Sequence, residues 1–136
     1  MSTSPSHQAL FAAFARLRAG WPQRGWSYDN RFQCVASSFS ADHAATARQL
    51  ATALFPYVWT SRTLNTAPAM FSQIAERTGG VRSSQQLLGA DPVGRLIPYG
   101  LWWPWEEGTT ISLRIGLDGA SMNETLDLCN VFGAEP

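Results

Sequence analysis

The sequence predicts an α+β fold: a single domain with a mainly antiparallel sheet of about four to five strands and three helices packed on it. Three observations carry this expectation. Apolar residues recur at helical spacing in three separate segments, 99–105 and 109–117 read as two strands facing each other across a turn, and the order of elements runs helix, strand, helix, strand, helix, hairpin and a final element. The length of 136 residues fits one core, so 1–136 is read as one globular domain, with residues 1–5 expected to be flexible.

Ser4 followed by Pro5 is an N-cap and first-turn proline, and Leu10, Phe14 and Leu17, with Phe11 beside them, make the apolar stripe of a first helix ending at Gly20. Arg16, Arg18 and Arg24 are expected to face water. Residues 27–37 alternate, with Tyr28, Asn30, Phe32, Cys34 and Ala36 on one face, and read as one strand. Ser40 caps a second helix with Asp42 in its first turn and an Ala-rich stripe that Pro56 terminates. Tyr57 to Leu64 is rich in β-branched and aromatic residues and reads as a second strand.

Thr66 is the expected cap of a third helix, whose inward residues Met70, Phe71, Ile74 and Ala75 precede Gly79 and Gly80. A further short helix is expected over Ser83 to Leu88. Tyr99–Trp105 and Thr109–Leu117 form the hairpin around Glu106, Glu107 and Gly108, with Ile111, Leu113, Ile115 and Leu117 facing the core. Segment 121–132 carries two patterns: Ser121 and Glu124 match a helix capping box, yet Leu126, Leu128 and Phe132 also alternate, and the reading leans to a strand after Asp118-Gly119. The helices are expected on one face of the sheet.

Composition narrows the function classes. Ten basic residues, every one an arginine, balance ten acidic residues, so the chain lacks the basic field that draws nucleic acid or anionic lipid. Without lysine there is no Schiff base and no phosphate-loop lysine. No apolar run is long enough to span a bilayer, and the N-terminus has no charged segment leading an apolar one, so the expectation is a cytoplasmic bacterial protein acting away from membranes. Cys34 and Cys129 are far apart in sequence and read as reduced, buried thiols.

Candidate chemistry is sparse. His7 and His43 each fall in the first turn of a helix, which suits surface positions better than a catalytic base or a zinc ligand. Adjacent Glu106 and Glu107 cannot converge on one bond, and a second carboxylate would have to come from Asp118 or Asp127. Gly79, Gly80 and Arg82 resemble an anion cradle only weakly, because paired glycines after a helix are ordinarily a cap and turn. No catalytic residue, metal ligand or cofactor is assigned.

The least ordinary stretch is Tyr99 to Glu107, where three tryptophans fall within four positions beside Pro104. Alternation sends Trp102 and Trp103 to opposite faces, so one core cannot bury all three rings. Trp and Arg are the residue types enriched at interface hot spots. The leading expectation is therefore a non-enzymatic protein-interaction module, an adaptor, inhibitor or immunity-type protein, binding its partner through Trp102, Trp103, Trp105, Glu106, Glu107, Arg82 and Gln85. The alternative is a small-molecule or carbohydrate-binding domain that stacks its ligand on the same tryptophans. An enzyme ranks third, and a homodimer paired through a sheet edge is a further expectation.

Overall fold

The computed structural model describes residues 4–23 and 25–136. Residues 1–3 of the segment expected to be flexible, and Arg24, lie outside that description. Ser4 Oγ accepts the His7 amide, and the helix starts at Pro5. In chain order the elements are α1 (Pro5–Gly20), β1 (Ser27–Asp29), β2 (Cys34–Ser40), α2 (Ala44–Leu54), β3 (Tyr57–Trp59), α3 (Ala69–Arg77), β4 (Gln86–Gly89), β5 (Ile97–Pro104), β6 (Thr110–Asp118) and α4 (Met122–Phe132). The strands form a single sheet ordered β1-β2-β6-β5-β4-β3, and every neighbouring pair is antiparallel. The fold is thus α+β with an antiparallel sheet, as expected, but the described residues form six strands and four α-helices rather than four to five strands and three helices.

The sheet separates two cores. On the inner face, Ile111, Leu113, Ile115 and Leu117 of β6 join Val35 and Phe39 of β2 against α1, α2 and α4, which contribute Leu10, Phe14, Leu17, Ala47, Ala51, Leu128 and Phe132. The small alanines of α2 let its backbone approach closely. On the outer face, Leu87, Tyr99 and Leu101 pack against Phe71, Ile74 and Ala75 of α3. The expectation of helices on one face is corrected here: α3 lies opposite the other three and covers the β3-β4-β5 half of the sheet.

Several sequence readings are corrected by local hydrogen bonding. The strand expected over 27–37 is broken between β1 and β2, because Asp29 Oδ1 accepts the Arg31 amide at 2.9 Å and Gln33 turns the chain with φ of 54°. The strand expected over 57–64 stops at Trp59, where Thr63 Oγ1 accepts the Thr60 amide and Thr60 Oγ1 the Arg62 amide. Thr66 does not cap α3, since its hydroxyl donates to the Thr63 carbonyl and Pro68 holds the cap position. Ser83–Leu88 is no helix: Gln86–Gly89 is β4, paired with β5.

The C-terminal segment is helix α4, not a strand. Ser121 Oγ accepts the Glu124 amide, Glu124 accepts the Ser121 amide, and Gly133 closes the helix in the left-handed region with φ of 67°. Arg18, expected to face water, reaches across to donate to the Val131 carbonyl at 2.9 Å. No helix among the described residues is long and apolar enough to cross a membrane.

Candidate functional site

The three tryptophans of the hairpin arm go to three environments. Trp102 is 7% exposed and belongs to the inner core, with Phe39 against its ring and the Arg48 guanidinium 4.9 Å above it. Trp103 points to the outer face and is half-buried. Trp105 lies past the end of β5 and is 49% exposed. Glu106 and Glu107 are exposed in the turn. Desolvation works against ionisation of Glu107, but its bonds from the Thr109 amide and the Thr110 hydroxyl together outweigh it and hold the carboxyl below the usual carboxylate range.

Trp103 is the centre of a groove assembled from three separate stretches of chain. The β1–β2 connection folds over the outer face, setting Phe32 edge-on to Trp103 at 6.0 Å and the Arg31 guanidinium over Phe32 at 4.2 Å. From the sheet itself, Arg114 stacks on Trp103 at 4.5 Å while donating to Asp29 and to Ser112 Oγ, both at 2.9 Å. Partial burial works against ionisation of Asp29, but Arg114 and Arg31 outweigh it and hold the carboxyl below its usual range. The third stretch leaves α3 through Gly79 and Gly80, whose φ values of 93° and 84° suit glycine, and brings Arg82 and Gln85 to the rim. Gln85 Oε1 accepts the Arg82 amide at 3.0 Å, which fixes this loop.

The result is a groove of about 280 Å³ between Arg31, Phe32, Trp103, Arg82 and Gln85. Of the residues singled out in the sequence, it unites Trp103, Arg82 and Gln85; Trp102 lies on the far side of the sheet, and Trp105, Glu106 and Glu107 lie at the hairpin tip. Arg31 and Phe32 were not singled out as site residues, and the Asp29-Asn30 pair was the available turn signal. The Arg82 guanidinium has no ion-pair or hydrogen-bond partner among the described residues. The groove can therefore offer an aromatic wall and an uncompensated cation.

No family model, no curated protein and no solved structure matches this chain. Function has to be read from the chemistry of the surface.

Nucleophilic and metal chemistry find little foothold among the described residues. Burial pushes the Cys34 thiol up to about 12, Cys129 is also buried and raised, and both are free. His7 stacks on Phe11 at 4.9 Å on the surface of α1, and His43 is exposed. No three His, Cys, Asp or Glu side chains among the described residues come together in a way that could hold a metal ion. Asp118 is paired with Arg77, while exposed Asp127 sits on α4.

Proposed function

We propose that the chain is a non-enzymatic recognition module of the bacterial cytoplasm, an adaptor, inhibitor or immunity-type protein, that engages a partner protein through the outer-face groove and the adjoining hairpin tip. The observation that carries this reading is the pairing of half-buried Trp103 with the unpartnered Arg82 across one groove. A large aromatic and a guanidinium are the groups that dominate interface energetics, and an excess of cations there favours an acidic partner segment. Trp105, 49% exposed at the hairpin tip, is taken as a second anchor. The edge strands β1 and β3 span three residues each, so edge-to-edge pairing of two copies would add few backbone hydrogen bonds and ranks behind a distinct partner.

The test is affinity capture followed by calorimetry of the captured partner, purified, against wild type, Trp105→Ala and Arg82→Glu. Loss of roughly 30-fold or more in affinity for each variant, at unchanged far-UV dichroism, supports the reading. Binding that neither substitution alters overturns it. A second reading, a small-molecule or carbohydrate ligand stacked on Trp103, is favoured by Trp103, Arg82 and Gln85 lining one cavity. It predicts a saturable, stoichiometric change in tryptophan fluorescence that Trp103→Phe abolishes.

A further inference from the structure

A second cleft of about 350 Å³ lies beside the groove, on the other side of Arg31 and Phe32, between the β1–β2 connection, the end of α3 and the β6–α4 turn. Its walls contain two residues that are more than nine-tenths buried, Tyr99 of β5, 5% exposed, and Thr125 of α4, 7% exposed, whose hydroxyl oxygens still reach solvent. Neither hydroxyl has a hydrogen-bond partner among the described residues, although Thr78 in the same wall commits its own to the Ile74 carbonyl at 2.8 Å. The Tyr99 hydroxyl lies over Gly116, the one strand position there without a side chain to obstruct it. A hydroxyl that no protein group satisfies and that solvent still reaches is open to an acceptor atom from outside. Two such donors lining one cleft can both be met by the acceptor atoms of one small ligand.

Charge decides what kind of ligand. Arg31 and Arg77 line the cleft, but so does Asp118, which is bonded directly to Arg77. Arg31 is also 3.8 Å from Asp29, which Arg114 shares, so three guanidiniums and two carboxylates leave a net single positive charge, which suits a monoanion and disfavours a phosphate dianion placed beside Asp118. Ile74, Leu117 and Phe32 supply apolar wall for a short organic body. Desolvation by burial, and then the nearby Cys34 and Asp118, raise the Tyr99 phenol well above its usual range, so it stays a neutral donor at any physiological pH.

We propose that this cleft is a binding site for a small organic monocarboxylate, whose oxygens accept from Tyr99, Thr125 and the guanidinium edge of Arg77, with Arg31 closing over the top. The site is separate from the partner-binding reading above and does not depend on it. A volume of this size lies at the small end of ligand pockets and fits a metabolite of a few carbons rather than a nucleotide.

The experiment is an amide-resolved NMR titration of the intact chain with sodium butyrate and sodium benzoate, with sodium phosphate and n-butanol as comparison probes. The expected result is saturable shifts confined to residues 31–33, 77–78, 118–120 and 125, in the millimolar range or tighter, absent with n-butanol and weaker with phosphate. Tyr99→Phe keeps the ring and removes the donor, and it should weaken binding at least about tenfold while leaving the remaining spectrum in place. Thr125→Val tests the second hydroxyl with a residue of the same shape, so a Tyr99 variant that failed to fold would leave the site testable. No saturable shift with either carboxylate, equal response to n-butanol, stronger response to phosphate, or undiminished binding in folded Tyr99→Phe and Thr125→Val would each overturn the proposal.

Discussion

At the scale of single residues, side-chain direction along β5 accounts for most of what this molecule offers a partner. Consecutive positions on a strand face opposite ways, so Trp102 goes to the helix-covered core and Trp103 to the groove, a division the sequence already required. What sequence could not supply was the company each ring keeps. Arg31 and Phe32 meet Trp103 only because the β1–β2 connection bends back over the sheet, and Tyr99 and Thr125 share a cleft only because α4 follows β6 directly. Gly116 shows how tightly this face is set. A Cβ there would collide with the Tyr99 ring and hydroxyl, and Tyr99 is fixed on its other side by the α3 core. Gly116→Ala is therefore expected to lower stability by about 1–3 kcal/mol, read from the midpoint of urea unfolding at unchanged slope. A change near zero would mean that Tyr99 is free to swing away, which would also weaken its assignment as a fixed donor.

At the scale of elements, the segments read correctly are those in which one pattern dominates. β6 alternates cleanly, and its inward positions are the ones the sequence singled out; Leu113 and Ile115 are fully buried. Leu113→Ala should accordingly cost about 2–5 kcal/mol in chemical denaturation, since neighbours on both sides of the cavity are held by strand pairing. β4 does not show as a strand in the sequence because Leu87 and Leu88 are buried in different cores, and a strand covered on both faces has an apolar run without alternation. α4 held two competing patterns, and the capping box decided between them. The Arg95 hydrogen bond, aided by the Ser121 contacts and opposed by modest desolvation, brings the Glu124 carboxyl down to about 2 from an ordinary 4.5. Because the folded-state value is the lower one, this stabilisation is complete above pH 4.5 and is lost as pH falls toward 2. Arg95 is largely exposed, so solvent screening limits the contribution to about 1 kcal/mol. Denaturation curves of wild type and Glu124→Gln should differ by that amount at neutral pH and converge in acid. A constant difference across the range would assign the effect to packing instead of charge.

At the scale of the whole molecule, the sheet carries cores of unequal size. Among the described residues, twenty buried apolar side chains fill the inner face, whereas six lie between α3 and the outer face. The inner core ties α1, α2 and α4 to the long central strands β2, β5 and β6; the outer one joins a nine-residue helix to the short β3–β4 end of the sheet. Burial scales with apolar area, so the outer layer has less to hold it than the inner one has. This asymmetry was invisible in the sequence, where Phe71, Ile74 and Ala75 form as clear a stripe as Leu10, Phe14 and Leu17, because a stripe shows that a helix packs but not which side of a sheet it chooses. It also coincides with recognition: both the groove and the cleft have one wall in the segment that leaves α3. Native-state hydrogen exchange should find the central amides of β5 and β6 opening only with global unfolding, while amides of α3 and β3 exchange through a smaller opening at lower free energy. Ligand in the cleft or a partner in the groove would raise the free energy of that smaller opening before it changed the global one, since both sites are intact only while α3 is docked. Uniform protection across α3 and β5 would instead mean that the two layers unfold as one unit, and that binding at either site is felt equally by the whole fold.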